Sequence, residues 1–502
     1  MSIEKDRSIA KFFDSQCKRN DLIMSTNHFR INDQLYSSRR SALHLAASGF
    51  GYLAFSALAH TAANESRKSV STGPHFPAKA KRVIFLCMNG GPSHVDLFDY
   101  KPILNARSGQ ATEIGKDRGG ATLMGSPFRF SQHGKSGRWI SELFPKLAEH
   151  SDELCMIHSL NTDLPNHSQA FLQMHTGSFQ FVRPSLGAWA MYGLGSENEN
   201  LPGFITLNPP SDNGGARNYG SSFLPTICQG TKLGSQQIPG FYAALLGKDT
   251  DSSPPFKNIG NKNWSRDEQR AQLDLIGRLN KHKLEREVYQ PEIEGAIESF
   301  ELAFRMQDEV PKLLDLSEET AAIQQLYGIG SGLPTDGFGR QCLFARRMAE
   351  AGVRFIEITA PTSWDHHFLI KDALPKSCLA TDQPIAALLA DLKQRGLLDD
   401  TLVIWAGEFG RTPYGQSVTG RDHNNKGYTV WMAGGGVKAG LAYGATDEFG
   451  YEAVENPVHL HDWHATILHL LGFDHERLTY SYGGRDFRLT DVSGEVVKDI
   501  IA

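Results

Sequence analysis

The chain has 502 residues, with 40% hydrophobic and 21% charged side chains and a formal net charge of −5. This is an ordinary globular composition, long enough for one large α/β domain with insertions or for two domains. The mild negative charge, with no long basic stretch interleaved with aromatics, speaks against nucleic acid as a partner.

The first residues stand apart from the rest. Residues 1–37 are polar and irregular. Arg39 and Arg40 then precede an apolar run from Ala42 to Ala59, which ends in the small-x-small triplet Ala57, Leu58, Ala59. This pattern predicts a twin-arginine-type export signal over residues 1–63, and hence a protein of the periplasm or cell envelope. Met24 offers an alternative start. A transmembrane anchor is the competing reading, but the run is short and diluted by Ser48, Gly49, Gly51 and Ser56. Residues 64–80 read as a linker rich in Ser and Pro, followed by the main domain over 81–502. The cysteines at 17, 87, 155, 228, 342 and 378 form no CxxC pair, which removes zinc-ribbon and redox motifs. Cys87 and Cys155 sit inside apolar runs and read as core.

The main domain alternates strands and helices. The run Arg82 to Met88 predicts a buried strand that stops at Asn89, Gly90 and Gly91, with His94, Asp96 and Asp99 just beyond. Asp96 and Asp99 also suit capping and turns, and Asp99 is read that way. A second strand, Leu154 to Leu160, leads to Asn166, a suitable N-cap that places His167 and Ser168 at the positive end of a helix. Such a position suits an anion, or a nucleophile facing one. His175, later in the same helix, reads as a satisfied core or surface histidine. A shorter strand, Gly203 to Leu207, precedes a Gly/Pro/Ser-rich loop from Asn208 to Pro225 placed to cover a site. Residues 264–325 read as a helical insertion, opened by the capping box Ser265 to Glu268. Phe338 to Ala351 is a helix ended by Gly352. Strand Val353 to Ile358 follows and exits at Trp364, Asp365, His366 and His367. A carboxylate and an imidazole two residues apart suit a metal, with a hydrogen-bonded Asp–His pair as the lesser reading. A helix over Gln383 to Arg395 comes next.

The densest stretch is residues 401–426. The apolar strand Leu402 to Trp405 stops at Gly407, Glu408, Phe409, Gly410, Arg411, Thr412 and Pro413, which predicts a sharp turn, and Arg421 and His423 follow. A Glu408–Arg411 salt bridge would explain part of this pattern. The other reading is half of an active site, because open α/β sheets hold ligands beyond the carboxyl ends of their strands. Trp431 to Ala433 is a short strand into three glycines, and His461 to Leu471 is a helix capped by Asp462. The whole predicts a doubly wound, mostly parallel α/β sheet flanked by helices.

Seven segments in order over residues 81–502 resemble the DUF1501 family: MNGGPSHVDLFDYKP, GVRFIEI with WDHH, WAGEFGRTP, GRDHNNKG, AGGGVKAG, DWHATILHLLG and GGRDFRLTDVSGEVV. That family is similar to the alkaline phosphatase superfamily of phosphatases and sulfatases. The resemblance implies an exported, metal-dependent hydrolase of sulfate or phosphate esters. It places Asn89 at the first-strand ligand position, His167 at the nucleophile position with Ser168 beside it, Asp365 and His367 at an Asp–His metal pair, Glu408 and Phe409 at a second dyad, and His423 at the last metal histidine. Asn89 and Phe409 depart from the pattern, and both belong to one of its two metal sites. The expected intact set is therefore Asp365, His367 and His423, with zinc, manganese or calcium as the ion. Cys-x-Pro-x-Arg, the formylglycine signature of true sulfatases, is absent. Arg411, Arg421 and His94 are expected to bind the substrate, Arg411 gripping the anion bidentately, and Glu408 to be a ligand or general base. The expected substrate is a small anionic ester or a sulfated polysaccharide. The alternative is a non-catalytic envelope protein that binds such a polysaccharide or a cytochrome-like partner.

Overall fold

Strands form where short apolar runs lie between polar residues and glycines: β1 (Arg82–Cys87), β2 (Leu154–Asn161), β3 (Phe204–Leu207), β4 (Thr231–Leu233), β5 (Phe355–Thr359), β6 (Thr401–Ala406), β7 (Gly410–Ser417), β8 (Gly420–Asn424), β9 (Tyr428–Ala433), β10 (Ala442–Tyr443) and β11 (Val458–His459). The main helices are α1 (His167–Thr176), α2 (Leu186–Leu194), α3 (Arg266–Leu284), α4 (Pro291–Leu314), α5 (Asp336–Glu350), α6 (Ile370–Gln394) and α7 (Leu460–Leu470). They come from a computed structural model that describes residues 73–115, 122–234, 264–284, 291–417 and 419–502. The segment read as an export signal lies outside these residues, as does Cys17.

Among the described residues, nine strands form one sheet in the order β10-β2-β9-β6-β1-β5-β3-β4, with β11 also paired to β2. The central strands β6, β1, β5 and β3 are all parallel, while β9 runs antiparallel between β6 and β2. This is the doubly wound, mostly parallel α/β sheet expected. Strand alternation explains the two layers. Ile84 and Leu86 of β1 face one core with residues of α5 and α6, whereas Val83, Phe85 and Cys87 face the other with residues of α1, α2 and α7. Each Phe or Leu so buried contributes about 1.5–3 kcal/mol. Because both faces are covered, the strands read as unbroken apolar runs.

Three local expectations change. The stretch after β6 is no isolated turn: β7 and β8 form an antiparallel ribbon that pairs Arg411 with His423 and Gly410 with Asn424. Pro413 is tolerated because it falls at the register shift of the ribbon, where its missing N–H breaks no ladder pair, and its carbonyl accepts from the Met124 N–H at 2.8 Å. Helix α6 begins at Ile370, not Gln383, and runs through Pro375 and Pro384. Its continuous buried face, with Leu374, Cys378, Ile385, Leu388 and Leu392, outweighs the cost of the two prolines. The N-cap of α7 is His459, and Asp462 sits at the third helical position, closing a capping box.

Of the insertion read over 264–325, the described residues are mainly helical, in α3 and α4 and a short helix over Ala321–Leu326. Within the stretch read as linker, the His75 and Phe76 N–H groups donate to the Gly472 carbonyl, and Ala80 is buried. No helix among the described residues is long and apolar enough to cross a membrane.

Candidate metal centre

Parallel pairing puts the carboxyl ends of β6, β1 and β5 side by side. The chain leaves β1 through Asn89, Gly90 and Gly91, β5 through Trp364 to His367, and β6 through Gly407 and Glu408. Gly90 has φ +117°, and a Cβ there would lie 2.6 Å from the Asp365 backbone N. Only glycine allows this approach. Its N–H donates to both Glu408 oxygens at 3.0 and 3.1 Å, and the Gly91 N–H adds a third bond at 3.3 Å. The fully buried Glu408 carboxylate is thus fixed by the loop after β1.

Asp365 lies at the centre of the site. Its Oδ1 is 2.8 Å from His367 Nε2, 3.3 Å from His167 Nε2 and 3.4 Å from His423 Nε2. Donor atoms of these four residues all lie within 4.8 Å of one another. Each imidazole has its far nitrogen held by an oxygen. His167 Nδ1 meets Glu408 Oε1 at 2.6 Å, His423 Nδ1 meets the Pro165 carbonyl at 2.8 Å, and His367 Nδ1 meets Gln416 Oε1. This is how proteins orient histidines toward a metal: an oxygen fixes one nitrogen, and the other keeps its lone pair for the ion. His167 Nε2 is buried, with Asp365 Oδ1 facing it at 3.3 Å. Three nitrogens and one carboxylate fit a zinc, manganese or iron(II) ion, and suit calcium poorly, which takes oxygen ligands.

The charges agree with this arrangement. Burial alone would raise the Asp365 pKa, but its bonds to His167, His367 and His423 and the Arg411 guanidinium hold the carboxyl far below the usual range. Burial lowers the His167 pKa, yet bonds to Asp365 and Glu408 and their charges raise it to about 9. Burial also lowers the His423 pKa, which keeps that ring neutral. Without an ion, a proton on His167 balances the two carboxylates. An ion would take its place.

The structure therefore joins His167 to Asp365, His367 and His423, instead of setting it apart as a nucleophile. Ser168 is exposed, and its Oγ donates to Asn213 Oδ1 at 3.3 Å. Asn213, from the Gly/Pro/Ser-rich loop, also donates to Asn89 Oδ1 at 3.3 Å. Phe409 packs on the rings of His167 and His423, at 4.9 and 4.5 Å.

The expected substrate-binding roles of three residues need correction. Arg411 is fully buried. Its Nε donates to the Gly91 carbonyl at 2.8 Å, its Nη1 to the Arg421 carbonyl at 3.2 Å, and its Nη2 to the Gly90 carbonyl and to Asp365 Oδ1. It braces Asp365 from behind, and it pairs with Asp365, not with Glu408. Arg421 is also fully buried and holds Asp96 with a two-pronged bond of 2.7 and 3.0 Å. His94 is buried, and its Nε2 contacts the Gly450 carbonyl at 2.8 Å. Arg411 and Arg421 lie on the β7–β8 ribbon, whose register turns both inward, while His94, after β1, packs beneath Gly410 of the ribbon. Asp99 pairs with Lys101 at 3.1 Å. The holders Gln416, Pro165 and Asn213 carry no local signal in the sequence.

Several solved structures are similar to this chain. A sulfatase, PsFucS1 from Pseudoalteromonas sp., aligns with TM-score 0.33 and 12% identity over 79% of this chain and 68% of that one. Alkaline phosphatase from the Antarctic bacterium TAB5 aligns with TM-score 0.32 and 11% identity over 71% and 92%. The lipoteichoic acid synthase LtaP from Listeria monocytogenes aligns with TM-score 0.31 and 11% identity over 79% and 72%. A search of curated proteins gives no match. Residues 80–501 match the family described as "Protein of unknown function (DUF1501)", and the chain belongs to that family.

Proposed function

We propose that the protein is an exported, metal-dependent hydrolase of sulfate or phosphate esters, acting in the periplasm or cell envelope. The observation that carries this reading is the convergence of His167, His367 and His423 on Asp365, each with its Nδ1 tied to an oxygen. Three imidazoles turned inward around one carboxylate are costly unless a cation binds there. A divalent ion in this place would supply a Lewis acid for an ester oxygen and an acidified water. The chain's own residues do the rest. Arg411 and the imidazoles keep Asp365 ionised, and Glu408 fixes the His167 ring. His167 and Ser168 open α1, and the first amides of a helix are a place where an anionic group would bind. The Ser168 hydroxyl donates to Asn213, and a water acidified by the ion is the proposed attacker.

One observation favours the alternative, non-catalytic binding of a sulfated polysaccharide or a cytochrome-like envelope partner. Arg411 and Arg421, the two guanidinium groups nearest the site in sequence, are both committed inside the protein. Assay of metal-loaded protein against aryl sulfates, phosphate monoesters and phosphate diesters separates the two readings. A hydrolase turns over at least one class, loses turnover on chelation or in His423→Ala, and keeps it within about tenfold in Ser168→Ala, a change of less than about 1.4 kcal/mol. Absence of turnover with all three classes, combined with polysaccharide binding indifferent to chelator, would establish the binder instead.

A further inference from the structure

Helix α1 carries a second histidine two turns below His167, about 12 Å along the helix axis. This is His175, and it faces a polar cluster inside the apolar layer between α1 and the sheet. In β5, alternation sends Ile356 and Ile358 to one core and Phe355, Glu357 and Thr359 to the other. A glutamate in the middle of a central strand is thus directed into a hydrophobic layer. The parallel register sets Thr206 of β3 beside Glu357, and Cys87 of β1 beside Thr359. Cys87, His175 and Glu357 are 0%, 3% and 2% exposed, and their donor atoms all lie within 4.8 Å of one another.

The hydrogen bonding around this cluster is incomplete. His175 Nδ1 donates to the Phe171 carbonyl at 2.8 Å, which leaves its Nε2 facing Glu357 Oε1 at 3.2 Å. Two lone pairs cannot face each other at that distance, so a cation must lie between them. A proton would satisfy that one contact. It would leave Glu357 Oε2, Thr206 Oγ1 and Thr359 Oγ1 buried without partners, as they are here. Each such orphan costs about 1–3 kcal/mol, more for the charged oxygen. An ion with a larger coordination shell would use these atoms. The tie from Nδ1 to a backbone carbonyl is also the usual support of a metal-bound histidine.

We propose that Cys87, His175 and Glu357 form a second, fully buried metal site for a zinc-class divalent ion. One sulfur, one nitrogen and one carboxylate oxygen are a mixed donor set of the kind zinc and cobalt(II) accept, with a threonine hydroxyl or a trapped water to complete four. Binding converts the Cys87 thiol to thiolate and releases its proton, so loading weakens in acid. Because the site is closed, the ion enters as the chain folds and then holds α1 against β1 and β5. Its role is to fix the helix that presents His167.

The test uses the full chain produced in medium supplied with cobalt(II). Bound cobalt is counted per chain, and the near-ultraviolet spectrum is read for a thiolate-to-cobalt charge-transfer band. Wild type should show that band, and Asp365→Asn should retain it while binding one ion fewer. Cys87→Ser should lose the band and one ion. Should that variant fail to fold, the wild-type spectrum decides, with Glu357→Gln as the second variant expected to weaken the band. A wild-type protein that folds, binds cobalt and shows no thiolate band would overturn the proposal. So would a band that survives Cys87→Ser.

Discussion

Helix α1 joins two clusters built from similar residues in opposite settings. At its N-terminus, His167 meets Asp365, His367 and His423 at the open edge of the sheet, where the Asp365 side chain is 33% exposed. Two turns on, His175 meets Glu357 and Cys87 in a closed layer. In the upper cluster each imidazole is oriented by an oxygen behind it and faces Asp365, whose side chain solvent reaches. In the lower cluster the same orienting device, Nδ1 to a carbonyl, sits where neither solvent nor substrate enters. Similar donors therefore fit the two proposed roles: exchange and chemistry above, a permanent brace below. Access, not residue type, separates them.

The strongest way to break the comparison is Asp365→Ala. It removes the carboxylate that the three imidazoles and Arg411 share, so turnover should fall at least about 1,000-fold, or about 4 kcal/mol. The band expected of the lower cluster should be unaffected. Measured turnover and metal content check this.

Acid should weaken the lower region. His464 on α7 is fully buried, and its Nε2 contacts the Met174 carbonyl of α1 at 2.8 Å. Burial lowers its pKa from 6.5 to about 3. Between these values the unfolded chain binds a proton that the folded chain does not, so stability falls as pH falls from 6.5 to 3. The loss is on the order of 4 kcal/mol. Denaturant unfolding across this range should show a slope that flattens in His464→Gln.

Gly90→Ala tests the upper region's frame. At φ +117°, with the Asp365 backbone N 2.6 Å from the new Cβ, it should cost about 2–4 kcal/mol of stability and displace the donors to Glu408. Thermal unfolding checks it. Glu408→Gln is gentler. It keeps the shape but removes a charge that helps raise His167 to about 9. In the metal-free protein the His167 pKa should drop toward 6.5, as followed by NMR. Metal affinity above pH 9, where no proton competes, should fall about 10–100-fold. Metal-free wild type should lose stability as pH rises from 6.5 through 9, because the raised pKa stabilises only the protonated state.

The upper site was partly legible because it lies where apolar runs break. Asp365, His367 and Glu408 each follow a strand exit, where polar residues stand out against the run before them, whereas His423 sits within β8 and was marked by its polar neighbours alone. The doubly wound order was legible for the same reason. The directions of side chains were not. Arg411 and Arg421 look like anion binders in sequence, yet the ribbon's register turns both inward, and nothing local encodes that register. Helix α6 was half hidden because Pro384 suggests a start where the buried face continues. Cys87 and His175 read as core, and they are core. The unread signal was Glu357, a charge inside the run FIEIT that only its neighbours from β1 and α1 explain.

Anomalous diffraction from a crystal grown with zinc or manganese tests the central claim most directly. The account predicts a peak among His167 Nε2, Asp365 Oδ1, His367 Nε2 and His423 Nε2, about 2.0–2.2 Å from each donor. The peak should vanish in His423→Ala. A peak bound by other residues, or none there in crystals whose protein is folded and exposed to excess metal, would contradict it.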